Sequence, residues 1–288
     1  MEDFATYILE EKNVAEKMII AYYLSKKAGI YFDKSIILKT EIAKLFIEYM
    51  ELNVDENEVL TAMLLCNCKK VENAQKIGKL ESYAKEGAEY LSTLGFSKRF
   101  CKICEELNRY SKSTPREKES DILEVVDQFT GLILKRVERD AFTTEEALVV
   151  LRERNLKYSD NRYLDLFETF INELEKITIR DIIEVPIIKK LVHLHNKEAN
   201  VMAYIVALSN VYDEKISVAL SKNVKKKAKT LNLDSTAENT SDVQSNMEKM
   251  KNLAKDHANA LNHSSRALFS GDTAKKILNH ELKYKLEE

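Results

Sequence analysis

Apolar residues recur at three- and four-residue spacing along most of the chain, and one stretch carries the pattern most clearly. Over 122–148, Ile122, Val125, Val126, Phe129, Leu132, Ile133 and Val137 predict a helix with one broad buried face. Asp127 falls inside that apolar run. A carboxylate there must be ion-paired, hydrogen-bonded or metal-bound, because an isolated buried charge is too costly to keep. Thr143 and Glu146 read as a capping box that starts the next helix.

Similar stripes predict further helices. One spans residues 1 to about 30 (Val14, Met18, Ile19, Tyr22, Tyr23, Leu24), ended by Gly29. A second spans 33–52, with Ile42, Leu45, Phe46 and Tyr49 at core spacing. A third follows an Asp55/Glu58 capping pair and runs through Val59, Ala62, Met63 and Leu65. Over 158–175 the stripe is Tyr163, Leu166, Phe167, Phe170, Ile171 and Leu174. Beyond Pro186, 196–221 reads as one strongly apolar helix (Val201, Met202, Tyr204, Ile205, Leu208, Val211, Tyr212, Ile216), long enough for central packing or dimerisation. Residues 234–245 are polar and without periodicity, a flexible linker. Met247, Met250, Ala254, His257, Ala258 and Leu261 then resume a narrow stripe, fit for docking on a partner or on the body.

Only six Gly and two Pro punctuate the 288 residues, which favours an all-α fold. With net charge −2, bulk electrostatics argue against nucleic acid or an anionic membrane as partner. No apolar run is long enough to span a bilayer. Glu2, Asp3, Glu10 and Glu11 all precede the first basic residue, Lys12, which does not read as a secretion signal. With four Cys, the expectation is a cytoplasmic protein with reduced thiols.

Several segments resemble the HD-type phosphohydrolase domain of the HD-GYP kind. Thr143-Thr144-Glu145-Glu146-Ala147-Leu148 is similar to the family's S-P-E-E-A-L turn, with no gap back to Asp127, which matches the family's final metal-binding Asp. Thr61-Ala62-Met63-Leu64-Leu65-Cys66-Asn67-Cys68-Lys69-Lys70 resembles A-A-L-L-H-D-I-G-K, with Cys66 and Asn67 where the His-Asp pair would stand. Tyr83-Ala84-Lys85-Glu86-Gly87-Ala88-Glu89-Tyr90-Leu91 resembles H-P-x-x-G-A-E-x-L, with Tyr83 replacing a ligand His. Leu107 and Asn108 fall at the family's His pair, and Lys39 near its first His. The glycine-rich loop is missing. The resemblance covers about 35–170 and keeps the scaffold, but of the metal ligands only Asp127. All five histidines (His193, His195, His257, His263, His280) lie after residue 192.

The resemblance implies an HD-domain-like helical bundle over 35–175, preceded by an N-terminal helix within 1–34 and followed by a C-terminal helical region, 176–288. Its vestigial pocket would comprise Lys39, Cys66, Asn67, Lys70, Tyr83, Leu107, Asn108 and Asp127, with Lys39, Lys69 and Lys70 as candidate partners of Asp127. Metal-activated hydrolysis needs a set of carboxylate and imidazole ligands, of which these positions keep only Asp127. The expected function is therefore non-catalytic, with no cofactor: a regulatory or scaffolding module contacting a protein partner or a second copy through its C-terminal helices. A cyclic-dinucleotide sensor using Lys39, Lys69, Lys70 and Arg109 is the alternative, and a residual phosphodiesterase the third reading.

Two smaller signals complete the reading. Cys66, Cys68, Cys101 and Cys104 form two close pairs with zinc-compatible chemistry, but on helical segments without the Gly or Pro of knuckle turns, so they read as small buried hydrophobes. His193 and His195 alternate, which on a helix does not make a shared metal face. Lys222 to Lys229 is the one basic run, and no aromatic residue interleaves it.

Overall fold

A computed structural model describes residues 3–70, 82–107, 115–137, 139–158, 160–180 and 183–223. The chain is all-α, with a single two-stranded sheet among the described residues. They fall into two compact units that divide between Asn172 and Glu173. No described helix is long and apolar enough to cross a membrane.

The first unit opens with α1 (Phe4–Glu10) and α2 (Val14–Ala28), where one helix was expected. The break has a local cause: the Asn13 side chain accepts from the Glu16 amide at 3.1 Å and starts a new helix. Lys17 then turns back and donates to the Ile8 carbonyl in the last turn of α1 and to Thr61 Oγ1 at 2.7 Å. The buried ammonium thus caps one helix and ties it to another. Gly29 ends α2 with φ 60°, as its position in the sequence predicts.

Next come α3 (Lys34–Tyr49) and α4 (Glu56–Leu65), with α3 buried over most of its length. Asp55 caps α4 by accepting from the Glu58 amide at 3.1 Å. Glu58 does not complete the expected reciprocal pair, because its carboxylate is taken by Arg99. α5 (Ser82–Thr93) and α6 (Lys98–Glu106) are joined by a tight turn at Gly95, φ 92°, against which the Asp3 side chain packs too closely for any Cβ.

α7 (Lys118–Ile133) packs on α3, α4 and α6. Ile122, Val125, Val126, Phe129, Leu132 and Ile133 are buried as predicted, and Phe129 meets Phe167 edge to face. Val137 is not on that face. The chain leaves the helix at Leu134, and Val137 stands fully exposed. Arg139 supports the exit, donating to the Leu132 carbonyl at 2.9 Å, which also accepts from the Phe142 amide at 3.1 Å, and to the carbonyl of Gly131. At the other end of α7, Arg116 reaches Asp121 (3.0 Å) and Glu124 (2.6 Å), Arg162 reaches Asp121 (2.7 Å), and Arg99 reaches Glu119 (2.8 Å). Of these buried carboxylates, Glu119 and Asp121 also sit in the first turn, at the positive end of the helix dipole.

The capping box of α8 (Thr144–Tyr158) forms in both directions: the Thr143 amide donates to Glu146 Oε2 at 2.9 Å and the Glu146 amide to Thr143 Oγ1 at 3.2 Å. In α9 (Leu164–Leu174) the buried stripe is Leu164, Phe167, Phe170, Ile171 and Leu174; Leu166 faces solvent, one position out of phase.

The second unit contains a hairpin that hydrophobic periodicity did not reveal. β1 (Thr178–Arg180) pairs antiparallel with β2 (Glu184–Pro186), with Ile179 opposite Val185. α10 (Ile187–Lys197) packs on this hairpin and on α11 (Val201–Val211). The expected single helix over 196–221 therefore starts later. Asn200 caps α11, accepting from the Ala203 amide at 2.8 Å. One π-helical turn, Tyr212–Ile216, follows before helical conformation resumes over 217–223. His193 is exposed, while His195 lies edge to face with Tyr204 at 5.5 Å. The linker 234–245 and the stripe from Met247 to Leu261 lie outside the described residues.

Burial drives the Lys17 amine down to about 8, against the opposing pull of Glu11 and Asp55. Its folded value is below its unfolded one, so this lysine costs stability when protonated, and stability should rise as pH climbs from about 8 towards 10.5. Urea unfolding across that range should show the rise in the native chain and a flatter profile in Lys17→Met; parallel profiles would contradict the assignment.

Candidate functional site

The site forms where α3, the turn after α4, and α7 meet. Asp33 caps α3, accepting from the Ser35 and Ile36 amides at 2.8 and 3.3 Å. That start places Lys39 one and a half turns on, inside the core. α4 ends at Leu65, and the turn behind it carries Cys66, Asn67, Lys69 and Lys70. α7 presents Asp127 towards both.

Lys39 Nζ lies 2.8 Å from Asp127 Oδ1; the lysine side chain is 5% exposed and the aspartate 26%. Asn67 Nδ2 donates to the same oxygen at 3.4 Å. Burial pushes the Asp127 carboxyl up, but Lys39 and Lys70 outweigh it and, with hydrogen bonds from Lys39 and Asn67, hold it down at about 2. Lys39 shows the reciprocal effect: burial lowers its amine, and Asp127, with help from Asp33, raises it above the ordinary lysine value. Both members are therefore charged at neutral pH.

Three residues that the sequence reading does not place in the pocket, Tyr31, Asp33 and Arg136, join this cluster. The Tyr31 hydroxyl donates to Asp33 Oδ2, and its amide donates to the Cys68 carbonyl at 2.9 Å. Asp33 is held below the usual carboxylate range against burial, by hydrogen bonds from Ser35 and Tyr31 and by Lys39 and Lys70. The Arg136 guanidinium lies over Gly131, one turn along α7 from Asp127, where a Cβ would come within 2.6 Å of it. The pattern predicts the start of the helix at residue 33 but not the place of Asp33 in the site; the return of Arg136 onto Gly131 depends on how α7 ends, which periodicity does not encode.

Of the predicted pocket residues, Lys39, Cys66, Asn67, Lys70, Tyr83 and Asp127 come together. Cys66 and Tyr83 are buried, and burial together with the Asp127 charge pushes both their protons to higher pH. Lys70 is half-buried, its amine lowered by burial and by Lys39. Leu107 is buried at the end of α6, and Asn108 lies outside the described residues, as does Arg109.

The four cysteines are free and buried. Cys66, Cys68 and Cys101 each direct sulfur towards a different carbonyl: Met63 (3.6 Å), Gly87 (3.8 Å) and Phe96 (3.9 Å). Burial raises the Cys68 thiol to about 11 and the Cys104 thiol well above its usual value, so these sulfurs stay protonated. Among the described residues, no three His, Cys, Asp or Glu side chains come together as metal ligands.

The metal that an HD-type domain would carry does not fit these residues. The surviving carboxylate is bound to an ammonium and the neighbouring thiol holds its proton, which leaves the buried, unpartnered Asn67 Oδ1 as a single neutral oxygen, too little to hold a divalent ion. No family model, curated protein or solved structure matches the chain.

Asp127 titrates near 2 in the folded protein against 3.8 when unperturbed. Its contribution to stability is present above pH 3.8 and lost as pH falls through 2, a change of about 2 kcal/mol. The stability gap between the native chain and Asp127→Asn should close over that acid range in urea unfolding. A gap independent of pH would contradict it.

Proposed function

We propose that this chain is a non-catalytic HD-like protein in which the Lys39 ammonium takes the electrostatic place of a metal ion. The observation that carries the reading is the 2.8 Å contact between Lys39 and Asp127. An HD-type hydrolase needs a divalent cation to activate water and to neutralise developing charge. A lysine neutralises the carboxylate equally well for folding, but it lowers no water pKa and offers no open coordination position. The scaffold is then free to serve contact rather than chemistry. Val201, Met202, Val206 and Val211 of α11 stay half-exposed, and Val218 beyond the π-turn is exposed, so the second unit retains apolar surface for a protein partner or a second copy.

The geometry favours this reading over a nucleotide sensor that uses the recess itself. Lys39 is committed to Asp127, and Tyr83 and Leu107 are buried side chains rather than the walls of an open cavity.

Elemental analysis of the purified, untagged protein, after incubation with manganese, iron or zinc and desalting, tests the proposal. Expected is no stoichiometric metal and no hydrolysis of phosphodiesters. Near-stoichiometric manganese or iron, with Asp127→Asn abolishing it, would overturn it.

A further inference from the structure

Beside the site, lysines and aromatic rings from four segments join into one strip. Lys26 Nζ lies 5.3 Å over the Tyr22 ring. Tyr22 meets Tyr23 at 5.8 Å and Phe32 at 6.0 Å, both edge to face. Next to Phe32, Tyr31 has Lys70 Nζ 5.7 Å above its ring. The bond from the Tyr31 amide to the Cys68 carbonyl fixes this loop against the turn that carries Lys69. Lys69 Nζ in turn lies 4.3 Å over Tyr90 of α5. All five rings are half-buried, so each is anchored by packing and still presents part of its surface.

From this strip we infer a binding site for single-stranded nucleic acid, with phosphates on Lys26, Lys69 and Lys70 and bases against Tyr22, Tyr31, Phe32 and Tyr90. This does not depend on the non-catalytic reading of the recess. Among the described residues none of these three lysines has a carboxylate within 4.0 Å, although the Lys70 charge also acts on Asp127 and Asp33 at longer range. Asp33 lies within the strip, but its oxygens already serve Tyr31, Ser35 and the start of α3. Arg136 adds to the positive field that Lys70 experiences. Alternating rings and cations along a surface are what an unpaired strand requires, because every base has a π-face and every step a phosphate. A duplex hides its base faces and would use only the charge.

The net charge of −2 argues against binding through the bulk field, not against a local strip. The basic run at Lys222 to Lys229 lacks interleaved aromatics along the chain; here the fold brings them in from separate segments.

The test uses the full chain and a fluorescein-labelled oligothymidylate of about twelve residues, followed by anisotropy at low salt. Expected is saturable binding that weakens with salt at a log–log slope of about 2, three phosphates on a single strand. Lys69→Gln with Lys70→Gln should weaken it roughly tenfold or more. Tyr90→Leu, which keeps the apolar bulk, should weaken it roughly fivefold while leaving inorganic polyphosphate binding unchanged. No binding would overturn the inference. So would a duplex or polyphosphate bound as tightly as the oligonucleotide, which would leave only a charged surface. Equal affinity in folded Tyr90→Leu and Tyr22→Leu chains would overturn the stacking role.

Discussion

The Lys39–Asp127 ion pair is the constraint around which the first unit is arranged. It links α3 to α7, the two helices with the most continuous buried faces, and it allows a charged residue to sit in an otherwise apolar stripe. Neither charge could stay on its helix alone, since removing one member of a buried pair leaves the other without compensation, at roughly 3–5 kcal/mol. The 26% exposure of Asp127 against 5% for Lys39 shows the direction of the site: the ammonium is inside, and the carboxylate looks towards solvent.

The rest of α7 meets the same problem at its two ends by different means. At its start, Arg99, Arg116 and Arg162 offset Glu119, Asp121 and Glu124. The compensation of Glu124 is incomplete: burial still lifts its carboxyl to about 7, despite Arg116. At its finish, Arg139 satisfies the last carbonyls and directs the chain away, which places Arg136 over Gly131 beside the ion pair. The position of the site therefore depends on arginines outside it.

What was legible in the sequence was whatever follows from spacing. The buried face of α7, the capping box at Thr143 and Glu146, the end of α2 at Gly29 and the need for a partner to Asp127 all follow from local pattern. What escaped depends on through-space choices. Glu58 was free to return to its own helix or to pair with Arg99, and only the packing of α4 on α6 decides. Lys17 looks like a surface lysine until the break at Asn13 lets it reach the end of α1. The hairpin at Ile179 and Val185 is short enough for its two-residue period to disappear between helical stripes. The aromatic and basic strip has no counterpart in any single segment of sequence.

The most direct measurement is a double-mutant cycle on Lys39→Met and Asp127→Leu, followed by urea unfolding at pH 7. If the ion pair organises the unit, each single variant loses roughly 3 kcal/mol, and the double variant loses less than their sum by more than about 1 kcal/mol. Strictly additive losses would contradict the account, because they would mean that the two charges are each supported by other groups and that the contact between them carries no energy of its own.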